Sequence, residues 1–228
     1  MMSPTELLRS VLTARLDPVP RAWLDSAVAA AVAGQSILDA CIKAPKYLGR
    51  AALRLDESER DEATAAWPGV VCDRWTVVDA ARTLLLLTLA EAATDDVFAE
   101  AATAWYEQGD SGEQQSWLKA LPLLPRPERF LPLAIDACRT NIVPLFESIA
   151  CDNPYPERHF PTPQFNQVVL KAVFVGLPLT RVVGLSRRRN DELSRMASDF
   201  ADERRAAGRP VPSDLHLALF NPSPAESR

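Results

Sequence analysis

The sequence predicts an all-α fold, on the strength of three observations. Helix-start signals recur along most of the chain, the connections between apolar stretches are short, and no stretch shows a clear strand pattern. Glycine is scarce at 8 residues and proline plentiful at 19, and the prolines stand mostly at the edges of apolar stretches, where helical proteins tolerate them. Consecutive helices should pack as antiparallel hairpins, either in an α-α superhelix of the HEAT or TPR kind or in an irregular helical bundle.

The N-terminal half contains a series of helix starts. Ser3 to Glu6 form a capping box with a proline at the first helical position. The strongest apolar stretch, Val77 to Ala93, predicts a central helix preceded by Asp73. The other predicted starts are Pro20, Ser36, Asp56 and Thr94 or Asp95, and Pro45 is predicted to end or kink the third helix.

The C-terminal half continues in the same way. Gly208-Arg209-Pro210 is predicted to stop the helix that follows Asn190. The other predicted starts are Ser111, Pro127, Asn141, Pro163 and Ser213 or Asp214. A length of 228 residues suits one domain or two closely packed ones. Residues 1–220 are predicted to form a single helical domain, with residues 221–228 as a flexible tail.

Charge and composition argue against several classes of function. A net charge of -5 disfavours binding to nucleic acid and to anionic lipid. The apolar run Leu84 to Ala90 is too short to span a bilayer, and Met1 to Asp17 lacks the apolar core of a signal peptide. We therefore expect a cytoplasmic protein without stable membrane insertion.

Metal-binding and catalytic signatures are missing from the sequence. The four cysteines form no C-x-x-C pair, and the only histidines are His159 and His216. No metalloprotease, nucleophile-elbow, P-loop or dinucleotide-binding motif is present. The sequence therefore predicts no metal, no cofactor and reduced, mostly buried thiols.

One polar segment stands out, at Cys151 to Pro161. Its three prolines predict a stiff, extended loop, because residues before proline avoid the helical region. Such a loop could present Asn153, Tyr155, Arg158 and His159 to a ligand at low entropic cost. The alternative is a rigid connector in which Asn153 caps a turn and Tyr155 is a core aromatic.

The helix after this segment adds two polar candidates, Asn166 and Lys171. A buried lysine needs a carboxylate or phosphate partner, or its pKa falls. The alternative is that Lys171 packs its stem on the core and reaches solvent. Arg188, in the run of three arginines before the helix start at Asn190, is a candidate for holding a phosphate or carboxylate, unless the run is a solvated loop.

Several runs of residues form a distinctive combination in the C-terminal half: Gln114 to Pro125, Ala137 to Asn141, Ala150 to Pro156, His159-Phe160, Phe165 to Gln167, Val169 to Ala172, Val183 to Leu185 and Glu203 to Pro212. Together they resemble the EboA family. The resemblance implies a bacterial protein encoded with enzymes of a secondary-metabolite pathway, among them a prenyltransferase-like and a TatD-like hydrolase component. It supplies no catalytic residue.

Three functions are compatible with these observations. The first is a non-catalytic accessory protein that binds a small metabolite or other enzymes of the ebo-type cluster. The second is an enzyme of the same pathway acting on a small, anionic metabolite, with Asn153, Tyr155, His159, Asn166 and Lys171 around one pocket and Arg188 nearby. The third is an interaction domain with no ligand, which would expose a large apolar patch.

Overall fold

A computed structural model describes residues 2–220 of the chain. Every regular element in that range is helical, apart from one isolated bridge between Ala52 and Thr76, so the all-α prediction is confirmed. The helices are α1 (Pro4–Arg15), α2 (Pro18–Val32), α3 (Leu38–Leu48), α4 (Glu57–Ala66), α5 (Val77–Ala92), α6 (Asp95–Gln108), α7 (Ser111–Ala120), α8 (Leu131–Ala137), α9 (Val143–Ala150), α10 (Tyr155–His159), α11 (Thr162–Val175), α12 (Leu185–Arg188) and α13 (Asp191–Ala206).

The described residues divide into two compact units, which meet in sequence between Ala137 and Cys138. The choice between superhelix and bundle, and the single-domain organisation, stay predictions. The predicted tail lies outside the described residues. Within residues 2–220, no helix combines the length and apolar character that crossing a bilayer requires.

The first unit is built around α5. All residues from Val77 to Leu89 are buried, because this helix packs against α1, α2, α3, α6 and α7. A helix that is apolar on every side must be covered on every side. The predicted central helix is therefore confirmed, although its cap is Thr76, three residues after Asp73.

Polar side chains join α5 to α7 inside this core, and we refer to Asp79, Arg82, Ser116 and Lys119 as the α5–α7 polar cluster. The Asp79 carboxylate is 4% exposed and accepts from Ser116 Oγ and Lys119 Nζ, each at 2.8 Å. It also accepts from the backbone and hydroxyl of Thr76, both at 2.8 Å. Burial alone raises the pKa of Asp79, but the charge and hydrogen bond of Lys119, together with the hydrogen bonds from Thr76 and Ser116, outweigh it, so the pKa is lowered.

Pro45 does not end α3, which continues to Leu48. A proline inside a helix leaves the carbonyl four residues earlier without its donor, and here that carbonyl belongs to Cys41. The buried Arg82 guanidinium donates to the Cys41 oxygen from Nε at 3.0 Å. The alternative in which Pro45 ends the helix is therefore wrong, because a side chain from α5 replaces the missing backbone donor. The alternative in which Pro45 kinks the helix stays a prediction.

The second unit is organised by α11, which packs against α9 and α13. The apolar face of α11 is buried, at Phe165, Val168, Val169, Ala172 and Val173. Gly176, in the left-handed conformation at φ 79°, ends the helix.

The predicted cap at Asn141 is wrong. Helix α9 begins after Ile142, whose backbone N–H donates to Thr140 Oγ1 at 3.1 Å. The threonine hydroxyl therefore orders the entry to the helix, one position before the predicted cap.

Candidate functional site

The segment from Cys151 to Pro161 is not extended as predicted, because it contains α10. Asn153 starts this turn. Its Oδ1 accepts from the backbone N–H of Tyr155 at 2.9 Å, and its Nδ2 donates to the Ser148 carbonyl at 3.0 Å. Pro156 then falls in the first turn of the helix. Backbone N–H groups in a first turn have no partner within the helix, so the missing N–H of proline costs no hydrogen bond. The prolines therefore stiffen a helical turn rather than an extended loop.

Aromatic contacts hold α10 in place. Tyr155 is fully buried, and its ring lies 4.6 Å from the His159 ring and 6.0 Å, edge-on, from the Phe160 ring. His159 is half-buried and Arg158 is exposed. The segment thus combines a core aromatic, as one of the two interpretations predicts, with a histidine that packs against it.

Lys171 binds main-chain carbonyls. Its ammonium donates to the Cys138 oxygen at 2.6 Å and to the Thr140 oxygen at 2.5 Å, and it lies 4.7 Å from the centre of the Phe146 ring. These partners stabilise a positive charge through carbonyl dipoles and a cation–π contact. The lysine therefore fastens α11 to the connection before α9. Its partners are carbonyls, not the carboxylate or phosphate predicted for a buried lysine.

Asn166 forms an amide pair with Asn190. Each Nδ2 donates to the other side chain's Oδ1, at 3.1 and 3.0 Å. Asn190 Oδ1 also accepts from the backbone of Leu193, which caps α13. Asn166 is 2% exposed, and its pairing fixes the start of α13 against α11.

Arg188 ties three elements of the second unit together. It donates to the carbonyls of Glu157 and Phe160, at 2.5 and 2.9 Å, and its guanidinium lies 4.7 Å from the centre of the Phe165 ring. Its partners in the structure are thus the end of α10 and the first turns of α11. The predicted role in binding a ligand anion stays a prediction.

The neighbouring Arg187 has a carboxylate partner. Its Nε donates to Glu157 Oε1 at 2.5 Å, and this hydrogen bond is the main reason that the pKa of Glu157 is lowered. Glu157 lies against Gly184, where a Cβ would meet its side chain at 2.2 Å. Gly184 also has a φ of 77°, so the backbone and the packing both require glycine here.

The predicted site residues therefore fall into separate groups of contacts. Arg188 and Asn166 hold the junction of α10, α11 and α12, whereas Lys171 binds residues 138–140 beside α9. Lys171 makes no hydrogen bond to His159 within the described part of the chain. The assignment of all seven residues to one ligand site stays a prediction.

Sequence reasoning missed a further charged cluster in this unit. Arg181 donates to Asp152 Oδ2 at 2.5 and 2.9 Å and to Glu147 Oε1 at 2.5 Å, while the Asp152 backbone N–H donates to the Arg181 carbonyl at 2.8 Å. Burial lowers the pKa of Arg181, but the two carboxylates raise it by a larger amount, so the net shift of the pKa is upward. These hydrogen bonds hold the left-handed backbone of Asp152, at φ 57°. The cluster could not be predicted from the sequence, because Asp152 and Arg181 are 29 positions apart and no periodic pattern relates them.

The cysteine side chains of the described residues lie in surroundings that disfavour the thiolate. Burial raises the pKa of Cys72 and of Cys138 to about 12 in each case, so both are thiols rather than nucleophilic thiolates at neutral pH. Within the described residues, none of the four cysteines forms a disulfide. Within residues 2–220, no group of three or more histidine, cysteine, aspartate and glutamate side chains is arranged to hold a metal ion.

Comparison with known proteins gives one match. The model of the family described as metabolite traffic protein EboA matches residues 4–219, which is nearly the whole chain. No curated protein and no solved structure matches. The resemblance predicted from the C-terminal motifs is therefore confirmed, and it extends through the N-terminal half, where the sequence alone offered no distinctive motif.

Proposed function

We propose that this chain, which belongs to the EboA family of metabolite traffic proteins, is a non-catalytic accessory protein. It holds a small metabolite or a partner enzyme of its pathway and does not itself transform the metabolite. The family description supports a role in metabolite traffic, and the contacts of the second unit support a structural use of its most distinctive polar residues.

The observation that carries the proposal is the environment of Lys171. A lysine that acts as a base or forms a Schiff base must present a neutral amine with a free lone pair. The Lys171 nitrogen instead faces two carbonyl oxygens and the Phe146 ring, which are partners for an ammonium ion. Its contacts therefore favour an anchor between α11 and α9.

Arg188, a second positively charged residue among the predicted site residues, also binds main-chain carbonyls. One terminal nitrogen of Arg188 donates to the Glu157 carbonyl in α10, and the other donates to the Phe160 carbonyl just after that helix. Clamps of this kind fix the relative positions of helices without creating a reactive group. A rigid surface lowers the entropic cost of binding a partner, which suits a protein that carries or presents a molecule.

The experiment is co-purification from cells that encode the protein. The tagged full-length chain is isolated under native conditions, retained small molecules are identified by native mass spectrometry, and retained enzymes by quantitative proteomics. The proposal predicts that the chain retains a small molecule or an enzyme encoded beside it. The matched control is the same tagged chain carrying Lys171→Met and Arg188→Met. This variant should be purified in a smaller amount because it is less stable, and neither it nor the wild type should convert the retained molecule.

Two outcomes would contradict the proposal. One is a chain that retains neither small molecule nor enzyme above the level of an untagged strain. The other is a purified chain that converts its retained molecule into a product, with conversion abolished by Lys171→Met at equal concentration of folded protein.

A further inference from the structure

The residues Glu203 to Pro212, which carry part of the family resemblance, reverse the chain at the end of α13. Gly208 adopts a φ of 65°, and the Arg209 backbone N–H donates to the Arg204 carbonyl at 2.8 Å. The Arg204 side chain then donates from Nε to the Pro210 carbonyl at 2.8 Å. These contacts send residues 211–219 back along α13.

A groove of about 430 Å³ lies between α13 and this returning segment. Its floor is apolar and comprises Ala197, Ala201, Val211, Leu215 and Leu219. Ser198, Asp202 and Arg205 form a polar rim at helical spacing, which extends over about 10 Å of helix. The volume is within the range of sites for small organic molecules.

Four polar side chains on the groove have unused hydrogen-bonding capacity. His216 Nδ1 lies 2.7 Å from the Ser213 carbonyl. Because a carbonyl only accepts, Nδ1 is the donor in this contact, and in the neutral form of the ring Nε2 is an acceptor. No described residue is a partner for His216 Nε2 or Ser198 Oγ. Arg205 uses only Nη1, to Asp202 Oδ1 at 2.7 Å, so its other nitrogens and the second Asp202 oxygen are available.

We propose that this groove binds a small zwitterion of the amino-acid type with a compact apolar side chain. The ligand carboxylate binds the free edge of Arg205, its ammonium binds Asp202 and His216 Nε2, and its apolar part covers the alanine floor. This proposal rests on the proposed role in metabolite traffic and adds to it a site and a chemical class of ligand.

Charge complementarity selects this class over simpler ions. Asp202 lies next to Arg205 on the rim, so a plain anion that reaches the guanidinium also meets a carboxylate. A plain cation meets the guanidinium in the same way. A zwitterion matches both charges at once, and a ligand without an apolar part would leave the floor of the groove exposed to water.

The test is heteronuclear NMR titration of the full-length chain with L-leucine and L-phenylalanine. We expect either probe to shift backbone signals of the groove, at Ser198, Ala201, Arg205 and His216. N-acetyl-L-leucine, which lacks the ammonium, and L-leucinamide, which lacks the carboxylate, should bind about tenfold more weakly or not at all, because each loses a charge-assisted hydrogen bond.

Matched variants locate the site. Arg205→Gln should weaken binding about tenfold or more, and Ala201→Leu, which fills the floor, should abolish it. Arg195→Gln is the control, because Arg195 is an equally exposed, ion-paired arginine of α13 that does not line the groove. Unchanged spectra outside the groove establish that each variant is folded.

The proposal is overturned if neither amino acid shifts the groove signals, if the shifts lie elsewhere, or if the two single-charge analogues bind as well as the zwitterions. Such a result from a chain that still retains a metabolite or an enzyme during purification leaves the accessory role in place. A chain that fails both experiments contradicts both proposals.

Discussion

Replacing Lys119 with methionine tests the α5–α7 polar cluster most sharply. Methionine preserves much of the aliphatic volume but removes the cation that binds Asp79 at 2.8 Å. The carboxylate stays buried, with 6% of its side chain exposed, and keeps its donors from Thr76 and Ser116. The variant therefore isolates the contribution of the charge partner.

The magnitude follows from these contacts. Breaking a buried ion pair by removing one partner costs about 3–5 kcal/mol. Here the Lys119 side chain is 18% exposed and the neutral donors to Asp79 persist, so we expect a loss of about 2–3 kcal/mol in the free energy of unfolding. Lys43→Met is the control, because the Lys43–Asp39 pair is exposed and its loss should not be measurable.

The assay is urea unfolding followed by tryptophan fluorescence. All five tryptophans lie between residues 23 and 117, so this signal reports the unit that contains the cluster. Because the folded pKa of Asp79 is lowered, its contribution is present above the unfolded pKa and is lost as the pH falls through the folded value. The difference between wild type and Lys119→Met should therefore be constant near neutrality and shrink below about pH 4. Equal stability of the Lys119 and Lys43 variants would refute the reasoning.

Two further substitutions probe the second unit, with thermal or urea unfolding followed by circular dichroism. Gly184→Ala should lower the free energy of unfolding by about 2–4 kcal/mol, since the new Cβ meets Glu157 at 2.2 Å at a positive φ. The control is Gly34→Ala, at a similar φ with open space around it, which should lower it by only about 1 kcal/mol. Equal losses would show that packing at Gly184 is unimportant. Arg181→Met should cost about 2–3 kcal/mol, because it leaves the Asp152 and Glu147 carboxylates without their shared cation, and an unchanged midpoint would contradict this role.

Local signals in the sequence account for much of the fold. Capping boxes at Ser3 and Asp56 are formed as their spacing predicts, because a cap depends only on residues three positions apart. The cap of α7 is Asp110, one position before the predicted start at Ser111. The continuation of α3 beyond Pro45 could not be predicted locally, because the donor that permits it, Arg82, is 37 positions further along the chain. A proline is a reliable helix boundary only when no distant side chain replaces its missing N–H.

In the candidate site, too, local contacts could be predicted from the sequence and contacts between distant residues could not. The turn at Asn153 could be predicted from its own side chain, which bonds two positions ahead. The carbonyl partners of Lys171 and Arg188 could not, because they lie about 30 residues away in sequence and carry no side-chain signature. The groove beside α13 likewise depends on a chain reversal whose glycine is visible in the sequence but whose returning path is not.

The most direct test of the account replaces Lys171 with methionine in cells that depend on this protein. Pathway output is measured as metabolite formed per amount of folded chain, with Lys171→Arg and wild type as references. The account predicts lower abundance, through loss of the anchor between α11 and α9, but unchanged output per folded molecule. A fall of about a hundredfold or more in output, at an abundance equal to wild type, would contradict it, because only a lysine that takes part in the chemistry behaves in that way.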